Sequence, residues 1–246
     1  MPAWRIRGRT LELGPVPLLM GIINTTPDSF SDGGDCLDPD RAIAQGVALA
    51  EAGAAILDVG GESTRPGAPP VSVAAERARV LPVIEGLAAQ TAVPLSIDTT
   101  KLEIARDALA AGAHIINDVS ALRFAPELAR LAAETGAGLV LMHMRGEPRT
   151  MQEDPRYGDL LGEVGGALSE AARQAEAAGV AREAIALDPG IGFGKTAADS
   201  WRLIAGVAAL TALGYPVLVG HSRKSFLDPA RRYAARDRLP ESLTAG

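Results

Sequence analysis

A chain of 246 residues with 47% hydrophobic content can bury one large α/β core, so a single domain over 1–246 is expected. Its longest apolar runs are about eight residues, far short of the roughly 18 that suggest a membrane span, and the amino terminus has Arg5, Arg7 and Arg9 but no hydrophobic signal core; a soluble, cytoplasmic protein without a membrane partner is expected. The net charge of −6, with its one arginine-dense stretch (Arg231, Arg232, Arg236, Arg238) interleaved with Asp and Glu, argues against a nucleic-acid partner, and the single Cys36 excludes a disulfide framework and a multi-cysteine metal cluster.

In chain order, Trp4 to Leu13 alternates apolar and polar side chains around Gly8, which predicts a short hairpin against one end of the core. The apolar run Leu18 to Ile23 stops at Asn24 and enters the loop TTPDSFSDGG, a buried strand feeding a polar loop. A helix follows from Pro39 to Ala52, with Asp38 as N-cap and Gly53 at its end. Residues 54–61, AAILDVGG, form the next strand and deliver Asp58 and the stiff loop ESTRPGAPP, a construction typical of binding loops. Beyond a helix from Ala74 to Gln90, PLSIDTT delivers Asp98. After a helix from Leu102 to Ala111, HIINDVS delivers Asn117 and Asp118. A helix from Pro126 to Glu134 precedes GLVLMHM, which delivers Met142 and His143, and a helix from Leu160 to Ala178 precedes AIALDPG, which delivers Asp188. The seventh run, PVLVGHSRKSF, delivers His221, Ser222, Arg223 and Lys224, and ESLTAG reads as the opening of the seventh helix.

Seven βα units with strands apolar on both faces predict a parallel sheet. Because polar residues crown every strand instead of gathering at one switch point, the expected fold is a (β/α)₈ TIM barrel with an N-terminal hairpin and no eighth βα unit before Gly246. In a barrel Asp98, Asn117 and Asp188 converge on one pocket. Two carboxylates and an amide match a flat heterocycle with a guanidine-like edge, and Lys224 supplies a donor to a ring carbonyl or imine nitrogen. Each acid, taken singly, reads equally well as a cap for the following helix.

Asn24 offers the kind of oxygen that Mg²⁺ accepts beside water and phosphate, and equally a turn residue. His143 and His221 are possible acid/base groups, though an isolated His at a strand end is more often structural. Met142 and Phe193 suit a pocket wall. DPGIGFGKT misses the phosphate-loop pattern by one residue, because Pro189 stands where its first glycine belongs; it reads as a glycine-rich rim of the same pocket. Beside 21 arginines there are only three lysines, Lys101, Lys195 and Lys224, and each falls just after a strand.

The runs MGIINTTPDSFSDGG, GGESTRPG, SIDT, INDVS, DPGIGFGK and SRKSF, in that order and across nearly the whole chain, resemble the dihydropteroate synthase family. The resemblance implies a homodimeric TIM-barrel transferase. Its substrates would be (7,8-dihydropterin-6-yl)methyl diphosphate and p-aminobenzoate, with Mg²⁺ as cofactor. It would hold the pterin on Asp98, Asn117, Asp188 and Lys224, between Met142 and Phe193, with Asn24 on the metal and Thr64 at the departing side. Phe30, Ser31, Asp32, Arg65 and Pro66 would belong to two loops closing over p-aminobenzoate, with Ser222 and Arg223 nearby. Asp98, Asp188, Lys224 and Arg65 would form the catalytic set. The family's last strand carries an Arg-x-His pair for diphosphate, and no such pair follows SRKSF here.

Two readings stand beside this one: a pterin-dependent methyltransferase sharing the Asp/Asn clamp, and a catalytically silent pterin-binding protein. TPDSFSDGG, STRPG and SRKSF distinguish the first, since methyl transfer has no evident need of them. A metal-assisted aldolase or sugar-phosphate isomerase ranks last, because no lysine lies inside a strand.

Overall fold

The computed structural model describes residues 3–26, 38–64, 68–147, 150–153, 155–228, 230, 233–234 and 237–245. Strands β1 (Ala3–Ile6) and β2 (Arg9–Glu12) pair antiparallel about Gly8, whose φ of 75° is a conformation open chiefly to glycine. Six apolar runs then form one parallel sheet: β3 (Met20–Asn24), β4 (Ile56–Gly60), β5 (Leu95–Asp98), β6 (Ile115–Asp118), β7 (Gly138–Met142) and β8 (Ile185–Asp188). Their spatial order is their chain order, as in a barrel wall.

Helices fill the connections. They are α1 (Pro39–Glu51), α2 (Val73–Gln90), α3 (Leu102–Ala110), α4 (Glu127–Thr135), α5 (Leu160–Ala177), α6 (Ala197–Ala205), α7 (Val207–Thr211) and α8 (Leu239–Ala245). Asp38 caps α1 by accepting from the Asp40 N–H at 3.0 Å, and Gly136 closes α4 at φ 67°. The connection after DPGIGFGK is the helix that the count of seven βα units implied without bounding it, started by a capping box between Thr196 and Asp199. One expectation needed correction. The seventh strand is reduced to one bridge, Val217 to Leu187, with backbone bonds from Leu187 N to Pro216 O and from Leu218 N to Leu187 O. It pairs on that side alone among the described residues, so no longer ladder builds up.

The largest apolar core lies between the sheet and its helices, with Ile23, Leu57, Val59, Ile97, Ile116, Leu139 and Leu187 facing outward from the strands. A second cluster plugs the inside: Trp4 and Ile6 of the hairpin meet Ile56, Ile115, Val140 and Ala186. Trp4 also donates its indole N–H to Ala184 O at 2.9 Å, which locks the hairpin under the sheet. Side chains alternate faces along a strand, so the residue two positions beyond each plug residue returns to the same inner face. Those residues are Asp58, Asn117, Met142 and Asp188. The apolar plug is thus the floor, and the functional side chains are the next layer up.

Candidate active site

Register brings the inner side chains together. Asp98 is directly opposite Asn117, Gly60 is opposite Asp98, and Met142 is opposite Asp188. A Cβ on Gly60 would lie 3.4 Å from Asp98 Oδ2, an ordinary contact, so the strand end of β4 borders that carboxylate. Asn117 donates its side-chain N–H to Asp58 Oδ2 at 3.1 Å, which orients the amide and leaves its oxygen to accept. Asp188 Oδ1 accepts the Gly190 N–H at 2.6 Å. Lys224 donates to Ile191 O at 2.6 Å, and its Nζ stands 4.5 Å from the centre of the Phe193 ring.

Burial governs the charges. It raises the Asp98 carboxyl well above the ordinary range, and the neighbouring negative charges of Asp58, Glu76, Asp118 and Glu62 add to the rise. Burial also raises Asp188, against the pull of Lys224 and Lys195, and it raises Asp58. Lys224 is drawn down to about 8 by burial, with Asp188 and Asp98 opposing. Met142 packs with Val119, Met144 and Met151 beside Phe193, an apolar wall next to the charged groups. Two carboxylates, an oriented amide and an ammonium around such a wall suit a flat, donor-edged heterocycle.

The glycine-rich run makes no phosphate cradle. A Cβ on Gly190, at φ 66°, would meet His143 O at 2.0 Å, and one on Gly194, at φ 62°, would meet Arg145 O at 2.7 Å. These glycines let one backbone lie on another.

The other expected residues are scattered around the rim. Asn24 is exposed at the end of β3, Thr64 is half-buried beyond β4, and Ser222 and Arg223 are exposed in the turn before Lys224. The Arg223 N–H donates to Ser242 Oγ at 2.8 Å. Phe30, Ser31, Asp32, Arg65 and Pro66 lie outside the described residues, as do Cys36, Arg231, Arg232 and Arg236. Arg238 spends its guanidinium on the carbonyls of Arg223 and Tyr233. Among the described residues no group of three or more His, Cys, Asp or Glu is placed to hold a metal ion.

His143 is not built for proton transfer. Burial, with Lys195 beside it, takes His143 down to about 3, so its ring is neutral and cannot serve as an acid near neutral pH. His221 Nε2 lies 3.1 Å from Ser242 O, a tie to α8. Sequence reasoning named Asp58 as delivered by AAILDVGG but gave it no role; in the structure it orients Asn117. The sequence reading passed over the ion network of Lys101 with Glu62 and fully buried Glu76, which Thr99 Oγ1 joins by donating to Glu76 Oε1 at 2.7 Å. No local pattern ties Glu76 in a helix to Lys101 beyond the next strand.

A family described as pterin binding enzyme matches residues 20–245. The chain is 48% identical over 221 residues to a dihydropteroate synthase of Synechocystis, covering 89% of this chain and 76% of that protein. It is 46% identical over 237 residues to a dihydropteroate synthase of Escherichia coli, covering 96% and 83%. Among solved structures, the Xanthomonas albilineans dihydropteroate synthase with 4-aminobenzoic acid superposes with a TM-score of 0.91 at 47% identity, covering 99% of this chain and 87% of that one. The same enzyme in complex with 7,8-dihydropteroate gives 0.87 at 44% identity, covering 99% and 87%.

Proposed function

This chain belongs to the dihydropteroate synthases, a family of pterin-binding enzymes, and from that membership we propose how its own residues carry the reaction. The reaction is a transfer in folate biosynthesis: a dihydropterin methyl diphosphate and p-aminobenzoate give 7,8-dihydropteroate and diphosphate. The observation that carries the residue assignment is the pairing of Asp98 with Asn117 across β5 and β6, with Lys224 close enough to act on both Asp98 and Asp188.

In this reading Asp98 and Asp188 accept from the N–H edge of the pterin. The Asn117 oxygen accepts a further ring N–H, and Lys224 donates to the ring carbonyl or imine nitrogen. Met142 and Phe193 cover the ring faces, and Thr64 stands toward the departing group. Phe30, Ser31, Asp32, Arg65, Pro66, Ser222 and Arg223 are assigned to the p-aminobenzoate side.

The methylene–oxygen bond breaks with its electron pair going to diphosphate, and the positive charge left behind spreads over the electron-rich ring. Asp98 and Asp188 stabilise that charge in a water-poor pocket. The amine nitrogen then forms the new carbon–nitrogen bond with its lone pair, and the acidic ammonium so formed gives one proton to water or to the departed diphosphate, so no strong general base is required.

Asn24 fits a magnesium ion that takes one or two protein oxygens and completes its shell with water and phosphate, since its amide is exposed at the strand end and no competing carboxylate cluster is described there. When bound, the ion would neutralise the leaving diphosphate. Homodimeric assembly and a cytoplasmic location complete the proposal; no described helix is long and apolar enough to cross a membrane.

The deciding experiment follows labelled p-aminobenzoate into dihydropteroate with and without Mg²⁺. Metal-dependent product is expected. Pterin binding without product would move the assignment to a silent pterin binder, or to methyl transfer if a methyl group passed from methyltetrahydrofolate instead.

A further inference from the structure

Phe193 can stand over Lys224 only if the loop from Pro189 to Gly194 is held against the strand ends, and its three glycines bring no side chains to hold it. Gln152 donates to Gly192 O at 2.7 Å, Tyr157 to Gly194 O at 2.9 Å and Lys224 to Ile191 O at 2.6 Å; Lys195, at the end of that loop, adds the tie that reaches Phe193 itself. It is 3% exposed, and its Nζ lies 3.0 Å from His143 Nδ1 while donating to His143 O at 3.2 Å and to Phe193 O at 2.9 Å. Three acceptors use all three donors of an ammonium, so no proton is left for a ligand. The neutral His143 ring is what allows its Nδ1 to accept. Two of the ties go to the residue just past β7 and the third to the loop itself.

We infer that Lys195 is a positioning residue of the pterin pocket, joining the end of β7 to the glycine-rich loop and so fixing Phe193 over Lys224. The inference rests on the pterin assignment above. Lys195 acts through Phe193 without touching substrate. The charged and titratable groups facing it are Asp188 at the end of β8, Lys224, Asp199 of α6, Arg145 beyond β7, and His143. Burial pulls Lys195 down to about 7, Asp188 opposes that pull, and Lys224 adds to it. A raised pH therefore removes its charge while much of the protein's ionisation is unchanged, and the tie slackens.

The test titrates 6-hydroxymethyl-7,8-dihydropterin, which has the ring without the diphosphate, into the parent and into Lys195→Met between pH 6 and 9. The variant is expected to bind at least threefold more weakly at pH 6.5 and to lose the inflection near pH 7. Its KM for p-aminobenzoate at saturating pterin should stay within threefold of the parent. A smaller change in pterin affinity, with or without a lowered Tm, would overturn the inference and leave Lys195 a purely structural residue. Should Lys195→Met fail to fold, Lys195→Gln, which keeps a donor but no charge, is judged by the same threshold. Failure of the parent itself to bind the pterin would overturn the pocket assignment instead, so the two failures are distinguishable.

Discussion

Asp98 and Asp188 are both lifted by burial, but their neighbours differ. Asp98 stands among four other carboxylates, whereas Asp188 has Lys224 and Lys195 at hand. Negative potential is thus concentrated on the β4 to β6 side of the pocket, where a cationic transition state would draw most from it. Hydrogen bonds to an ionised group are worth about 1.5–3 kcal/mol, and tenfold in rate corresponds to about 1.4 kcal/mol. Asp98→Ala should therefore lower kcat/KM for the pterin substrate at least tenfold. Turnover and affinity within about twofold of the parent would refute the clamp.

The pH dependence follows with its sign fixed. Both acids hold protons at higher pH than ordinary carboxylates, so pterin binding should fail on acidification before the usual Asp range near 3.8 is reached. Lys224 loses its charge as pH rises through about 8, which weakens binding on the alkaline side. A plot of log kcat/KM against pH should fall on both sides, and Lys224→Met should abolish the inflection near 8.

Two elements show how the site is braced. The loop after β4 and the first turn of α2 are joined by Lys101, which pairs with both Glu62 and Glu76; Glu62 also accepts the Val71 N–H at 3.1 Å. Removing one partner of a buried pair costs about 3–5 kcal/mol because the other charge is left stranded. Lys101→Met should lower stability by that order in denaturant titrations, and adding Glu76→Gln should recover most of it. No recovery would mean the damage lies elsewhere. The hairpin offers a second check. Truncating a buried aromatic costs about 3–5 kcal/mol, so Trp4→Ala should destabilise the plug markedly, whereas Trp201→Ala, at a half-exposed ring set edge-on to Phe226 at 5.3 Å, should cost less.

At this scale the limits of sequence reading are physical. Strands β3 to β8 and the helices α1 to α5 were legible because apolar period, caps and glycines are local signals. Helix α6 was implied by the count of βα units but not bounded, although Thr196 and Asp199 spell a capping box. The strand-end residues of the pocket were legible by position. Their braces were not: Asp58 to Asn117, Lys195 to His143 and Lys101 to Glu76 are contacts between separate elements, and each exists only after the chain has closed.

For the whole molecule, the division of labour runs along the barrel axis. The floor, built from the hairpin and Ile56, Ile115, Val140 and Ala186, is apolar; the layer above carries the chemistry. Substitutions on the floor should act on stability and those above on function. Gly138, paired with Ile115, belongs to the floor: a Cβ there would meet Ile6 Cγ2 at 2.6 Å. Gly138→Ala should therefore loosen the hairpin and lower Tm while leaving the KM values near those of the parent. A selective rise in the pterin KM would contradict the layered description.

Because neighbouring staves are also successive in the chain, synthesis and assembly can proceed in the same direction. Each strand leaves the ribosome when its partner is already present, so the nascent sheet has one growing edge and no need to wait for a distant segment. Long-range pairing that must wait is the slow, aggregation-exposed part of folding for sheet proteins. On this route the Asp98–Asn117 half of the clamp is complete while Asp188 and Lys224 are still unmade. The proposed pocket then closes only after β8 and Lys224 have followed, and a ligand that needs both halves can reward only a chain that has folded past Lys224.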